Sequence, residues 1–586
     1  MWPKHAVHFI ALSFVISCPF AEIIANVSQL SRTTYDFIVV GGGTAGAVVA
    51  SRLSENLNFK VLLIEAGSSN VGVTKSLVPG LFRDLQKSIY DWNYTTVPGT
   101  GIANRTLDYP RGHILGGTSS INGMAYTRGS RDDYDRWAQV TGDPGWSWDS
   151  ISPYFFKNEK FLNSVYDGNS GLTPVSDPSA HGFNGSMFTG LPVNAMTIDQ
   201  RVIQVTQELP SIFPFLKDIN SGTPLGVGWN QASIGNGSRS SSATAYLSIA
   251  ATSRVNLDVL VNTKVTRVFG TLNSFNFVQV ADSETILKAN KEIILSAGCI
   301  NTPHILLNSG IGDETELTAL NISKILHIPS VGKNLTDQPK VSVQYSVNSN
   351  GFWDTINTNT TLQAMAMSLW SQNGTGPYAS PFSNFLAWSR LPDDSPVISE
   401  FGDPSPGPNA PHIELFPVSA SSSATEPGLV GSMAAILLSP KSRGSVTLNP
   451  EDPSGPPAVD LGFYTSDFDM SAMVYAIKLA QQFYSAKAFN GYILQQLSPP
   501  PNSTVDELKA YIRTSTTTVY HGVTSASMSA KGASYGVTDP DLRVKGANGL
   551  RIVDASVIPF IPAAHIQAPV YAVAERASDL IKATWS

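Results

Sequence analysis

The run Tyr35-Asp36-Phe37-Ile38-Val39-Val40 leads straight into Gly41-Gly42-Gly43-Thr44-Ala45-Gly46, and this join restricts the fold more than any other stretch of the chain. The apolar, β-rich residues have the length of a strand buried on both faces. Residues from Ala45 to Leu53 read as a helix, and Lys60-Val61-Leu62-Leu63-Ile64 as a second strand. Together they make a βαβ unit. Gly41, Gly43 and Gly46 fit G-x-G-x-x-G: the first glycine permits the tight turn, the second lets backbone approach a pyrophosphate, and the third lets helix and strand pack closely. Thr44 and Ala45 sit where the helix N-terminus offers N–H groups and partial positive charge to phosphate. Glu65 ends the second strand, at the place where a carboxylate accepts hydrogen bonds from ribose hydroxyls. The fingerprint predicts a dinucleotide site without separating NAD from FAD.

Further strand-like runs lie at Asn256–Val261, Lys291–Leu295 and Gly549–Asp554, with a helical stretch from Val570 to Lys582. Pro/Gly/Ser-rich stretches at 393–426 and 449–457 read as loops on a second domain. With 42% hydrophobic and 14% charged residues the chain is globular, and its net charge of −7 gives no electrostatic footprint for nucleic acid or an anionic membrane. Lys4 followed by the apolar Ala6–Phe20 resembles a signal peptide, ending near residue 25. Sequons from Asn26 to Asn502 favour the same secretory route. Loss of the leader with Cys18 leaves Cys299 as the single thiol, expected to be buried and inert.

Beyond the fingerprint, Gly112 through Gly123 (GHILGGTSSING) resembles the first signature of the glucose–methanol–choline oxidoreductases. Glycine density there lets backbone lie flat against an isoalloxazine ring. Gly298 through Gly312 resembles the second signature, and Val331–Asp337 and Ser439–Gly444 are similar to further family stretches, although Gln338 stands where a histidine is common. His113 also departs from the family. The resemblance implies an α/β protein. Its Rossmann-like FAD domain is assembled from 34–150, 235–330 and 515–586. A substrate domain of antiparallel sheet and helices comes from 151–234 and 331–514. Cofactor contacts are implied at Gly112, Gly117, Thr118, Ser119, Asn122, Gly123, Val265, Asp554, Ala555 and Gln567, besides the fingerprint residues. Relatives with covalently attached flavin use a histidine at the position of Ile121, so non-covalent FAD is expected.

The C-terminal segment carries the expected chemistry. Tyr520-His521-Gly522 and Ala564-His565-Ile566 resemble the two segments that present the family's active-site residues. Oxidising an alcohol removes a hydroxyl proton and a hydride, and an imidazole titrating near 6.5 suits the proton. The resemblance makes His521 the base and His565 the orienting donor.

Ser88–Thr96, Gly237–Leu247 and Ser527–Asp554 look specifically like aryl-alcohol oxidases. On that likeness Tyr94 and Tyr520 are gate residues and Glu414 is an acid beside the active site. The run after Phe416 is serine-rich where relatives carry aromatics, which predicts a wider channel. The expectation is a secreted, monomeric oxidase of aryl or allylic primary alcohols, using O2. A quinone-dependent dehydrogenase and a hydroxynitrile lyase on the same fold are the alternatives.

Overall fold

The structure, a computed structural model, describes residues 23–163, 171–248, 254–349, 352–418 and 430–585. Residues 1–22 of the expected leader and the serine-rich run from residue 419 lie outside the described residues, while Ile23–Ile24 pairs in parallel with Val259–Leu260.

The expected βαβ unit forms as strand Thr34–Val40, helix Gly46–Leu53 and strand Val61–Ile64, with Val40 in parallel register with Ile64. Phe37–Val40 and Val61–Ile64 are apolar throughout because both faces are covered. Leu257–Leu260 adds in parallel to Val61–Ile64, and Ile286–Leu295 adds in parallel to Thr34–Val40. The hairpin Val265–Thr271/Ser274–Val280 extends the sheet antiparallel on that side. The late strand Leu550–Ile552 returns to pair with Ile286–Leu295, placing Ile552 opposite Leu295. Strands far apart in sequence therefore end at one edge, beside the glycine turn, where ligands bind in open α/β sheets.

The second sheet runs Ile493–Ser498, Pro339–Val347, Val430–Leu437, Ile413–Val418, Phe385–Ser389, Gly226–Trp229, with antiparallel neighbours. One face is sealed by helix Asp467–Tyr484, whose Phe468, Met473, Ile477 and Phe483 share a core with Val341, Val343, Met433 and Leu437. The other face is left toward the first sheet. The boundary expected at 150/151 falls inside helix Trp148–Asn158, which packs against the C-terminal helix Gln567–Trp585.

One buried ion pair ties the C-terminal strand to the sheet. Arg551 Nε and Nη2 donate to the two carboxylate oxygens of Glu292 at 2.7 and 2.8 Å, and Trp585 Nε1 donates to the same carboxylate at 2.9 Å. Both charged side chains are under 5% exposed. Removing one partner strands the other charge in the core. Glu292→Ala is therefore expected to cost about 3–5 kcal/mol, read as a clear fall in thermal unfolding temperature.

Candidate active site

A cavity of about 890 Å3 lies between the two sheets and has two chemically distinct ends. This is at the upper end of the range for cofactor and ligand sites.

One end is backbone. Gly41 has φ +101° and presses against Ser296, and a Cβ on Gly46 would sit 1.9 Å from the Gly41 carbonyl oxygen. A Cβ on Gly117 would meet the Gly43 Cα at 2.7 Å, and one on Gly112 the Gly117 carbonyl at 2.2 Å. The two glycine loops are thus stacked backbone on backbone, with room for no side chain between them. Gly41, Gly43, Thr44, Ala45 and Glu65 line this end with Gly112, Gly117, Thr118, Asn122 and Gly123. Val265, Asp554, Ala555 and Gln567 complete it from distant segments.

Two expected contacts stand behind the wall instead. Gly46 acts through close helix–strand packing, and the Ser119 hydroxyl donates to Gly116 O at 2.6 Å. Glu65 accepts the Gly42 and Gly67 N–H groups at 2.8 Å each, and burial pushes its carboxyl up to about 7. Asp554 is already committed to the protein: one oxygen accepts from Gly298 N–H and Thr302, the other from Ser556. Gln567 donates to Ala125 O at 2.7 Å and accepts from Asn122 at 3.1 Å. His113 lies outside the cavity wall, its ring tilted on Trp92 at 4.4 Å.

The other end carries the two histidines, with ring centroids 5.0 Å apart and planes at 82°. His521 follows the edge strand Thr517–Thr518, and Tyr520 before it adopts φ +65°, a left-handed conformation costly for a tyrosine. Hydrogen bonds on either side hold it: the Arg111 guanidinium donates to Tyr520 O, and the His521 N–H donates to Asp337 Oδ1 at 2.8 Å. Buried Asp337 also accepts from Tyr109 and Thr518. His565 is fixed through its N–H on Thr127 Oγ1, and its Nε2 lies 2.8 Å from Glu414 Oε1. Glu414, on strand Ile413–Val418, is 1% exposed.

The protonation pattern of His521 follows from Gln338. Gln338 Nε2 donates to two backbone carbonyls, Leu438 O at 3.2 Å and Pro562 O at 3.1 Å. Its Oε1 must therefore face His521 Nδ1, 2.7 Å away, as an acceptor. Nδ1 carries the hydrogen, and Nε2 keeps its lone pair. Burial, the neighbouring His565 and the Arg111 guanidinium hold His521 well below its ordinary 6.5. At neutral pH the ring is an uncharged imidazole with a free basic nitrogen.

Tyr94, expected as a gate residue, does not line the main cavity. It lines a separate cavity of about 330 Å3 with Tyr520, donates to Asn301 Oδ1 at 2.6 Å, and stacks on Trp92 at 5.8 Å. Trp92, on which the Tyr94 ring stacks, lines the main cavity, with Asn93 between them at φ +54°. Tyr520 lines both cavities. Cys299 is buried as expected, its thiol pushed up to about 12 by desolvation. Gln338, Asp337 and Arg111 were not picked out as site residues from sequence. The departure at Gln338 was the one signal available.

The N- and C-terminal models of the GMC oxidoreductases match residues 35–340 and 440–574. The chain belongs to the GMC oxidoreductase family. It is 43% identical to "Dehydrogenase eriK" of Hericium erinaceus over 97% of this chain and 98% of that one. It is 42% identical to "Pyranose dehydrogenase 3" of Leucoagaricus meleagris over 95% and 94%. The fold superposes on a fungal aryl-alcohol oxidase with TM-score 0.84 at 28% identity, covering 94% of this chain and all of the other. A GMC oxidoreductase binds FAD, and the residues present fit that group: the double glycine wall leaves a slot free of side chains, and the buried Ser296 hydroxyl on its rim has no protein partner. Among the described residues no helix is long and apolar enough to cross a membrane.

Proposed function

We propose that this GMC oxidoreductase oxidises a CH–OH group, with His521 Nε2 taking the hydroxyl proton and His565 orienting the hydroxyl beside it. FAD, when bound, supplies the acceptor of the hydride. The observation that carries this reading is the Gln338 hydrogen bond to Nδ1, which leaves Nε2 unprotonated inside the cavity. Glu414 on Nε2 of His565 fixes that ring and offers a counter-charge when a proton arrives on the pair.

Because His521 is held low, its loss of activity on protonation is expected only in acid well below pH 6.5. The kcat/KM profile is predicted to be flat through neutrality, since the base is already deprotonated there. An acid limb centred at or above 6.5 would contradict it.

Two substrate classes are supported by different walls. Strands Pro339–Val347 and Val430–Leu437 present Ser342, Gln344 and Ser432, with Ser498 beside them, a hydroxyl-bonding surface suited to a sugar. The likeness to pyranose dehydrogenases points the same way, and we take a hydroxyl-rich substrate with a quinone-type acceptor as the leading reading. Phe416, Trp92 and Tyr520 line the same space and support the aryl-alcohol reading with O2. Parallel assays of methyl glucopyranosides and benzylic alcohols, with benzoquinone reduction and peroxide both measured, decide between them. Faster turnover of benzylic alcohols with stoichiometric peroxide would overturn the leading reading.

We also propose non-covalent attachment, secretion and a monomeric state. Ile121, buried on the cavity wall, offers no nucleophile to the ring. Acid precipitation of the holoenzyme is expected to leave the yellow colour in the supernatant.

A further inference from the structure

Resting on the reading of His521 as the base, we propose that Lys340 anchors a carboxylate carried by the alcohol substrate, making hydroxy acids the favoured substrate class. Gln338, which positions His521, and Lys340 are two residues apart along one chain. In extended backbone alternate residues share a face, and two steps advance about 7 Å. Val341 and Val343 point the other way, fully buried in the core against helix Asp467–Tyr484. Lys340, Ser342 and Gln344 line the cavity. Lys340 thus lines the same cavity as the proposed base, two residues along the chain from the glutamine that holds it.

Among the described residues Lys340 makes no side-chain hydrogen bond or ion pair. Burial, with the like charge of Arg83 adding to it, brings its ammonium down to about 8. Arg83 lies over the Phe382 ring at 4.4 Å and also lines the cavity. Among the described residues the acids lining the cavity are Glu65 and Asp554, both at the end formed by the glycine loops. Among the described residues the part of the cavity beside the second sheet is lined by Lys340 and by no acid, while Glu414, in the same cross-strand row through Ile436, is engaged by His565. An ammonium taken out of water without a partner is costly. A carboxylate on the substrate supplies the missing counter-charge and, through a fixed second contact, selects which hydroxyl reaches His521.

The test uses the holoenzyme in two arms. Binding is measured by calorimetry with 4-methylbenzoate and 4-methylbenzamide, which have the same shape and no CH–OH group to oxidise. A charge-assisted hydrogen bond of about 1.5–3 kcal/mol makes the carboxylate bind at least about tenfold tighter. Lys340→Met removes that preference and Lys340→Arg keeps it. Turnover is then compared for methyl glucuronoside and methyl glucopyranoside, whose ratio of kcat/KM shifts toward the acid in the wild type and collapses in Lys340→Met. Equal binding of the two benzoyl probes by the wild type, or a preference that survives in Lys340→Met, overturns the proposal. Absence of flavin bleaching by every alcohol, with the carboxylate preference intact, would instead sink the oxidation reading and leave the anion subsite standing.

Discussion

Anaerobic flavin reduction in the His521→Ala variant is expected to fall by about 10²–10⁴-fold, the range for losing a positioned general base. The loss belongs in the rate of reduction more than in substrate affinity, because the ring acts on a proton that moves as the reaction proceeds. His521 faces the cavity and its Nδ1 partner is a single amide, so the variant retains the backbone bond to Asp337 that shapes the turn. FAD content and the visible spectrum serve as the check that the site is still assembled. A reduction rate within a few-fold of wild type would remove His521 from the chemistry.

The second large effect is expected at Gln338, a positioning residue that touches the base and not the substrate. Gln338→Leu deprives Nδ1–H of its acceptor and frees the ring to take either tautomer or to rotate. A supporting partner of this kind is worth about 10–100-fold in the systems where it has been removed. The change also leaves the Leu438 and Pro562 carbonyls without their donor, so some stability is lost as well. Gln338→Glu separates the two effects. A carboxylate against Nδ1 favours the imidazolium and raises the His521 pKa, so the acid limb of the rate profile moves toward neutrality. A residue that only filled space would leave that limb where it was.

The fold was largely legible in the sequence. The fingerprint from Gly41 to Gly46 is a local signal, with strand, turn and helix contiguous, and the structure reproduces it with Gly46 as the first helical residue. The late strand was also visible, since Leu550-Arg551-Ile552-Val553 is a short β-rich run that follows Gly549. Its parallel pairing with a strand some 260 residues earlier is not written in any local pattern; it follows from which edge remains to be covered.

The site was legible to the extent that family resemblance carried it. His521 and His565 face one another across the end of one cavity, as the resemblance implied. Partnerships between distant segments were not legible. The Gln338 contact spans 183 residues and the Glu414 contact 151, and nothing in the spacing of either pair betrays it. A sequence match fixes which residue is present; that Trp92 lines the main cavity and Tyr94 the smaller one is set by the fold around them.

The most direct test is a crystal structure of the holoenzyme with a non-reacting analogue of its alcohol substrate. The account predicts the analogue oxygen about 2.6–3.2 Å from His521 Nε2, with the His565 ring on the same oxygen and the flavin ring against the glycine loops. An oxygen held by other groups, or a flavin seated away from both imidazoles, would contradict it.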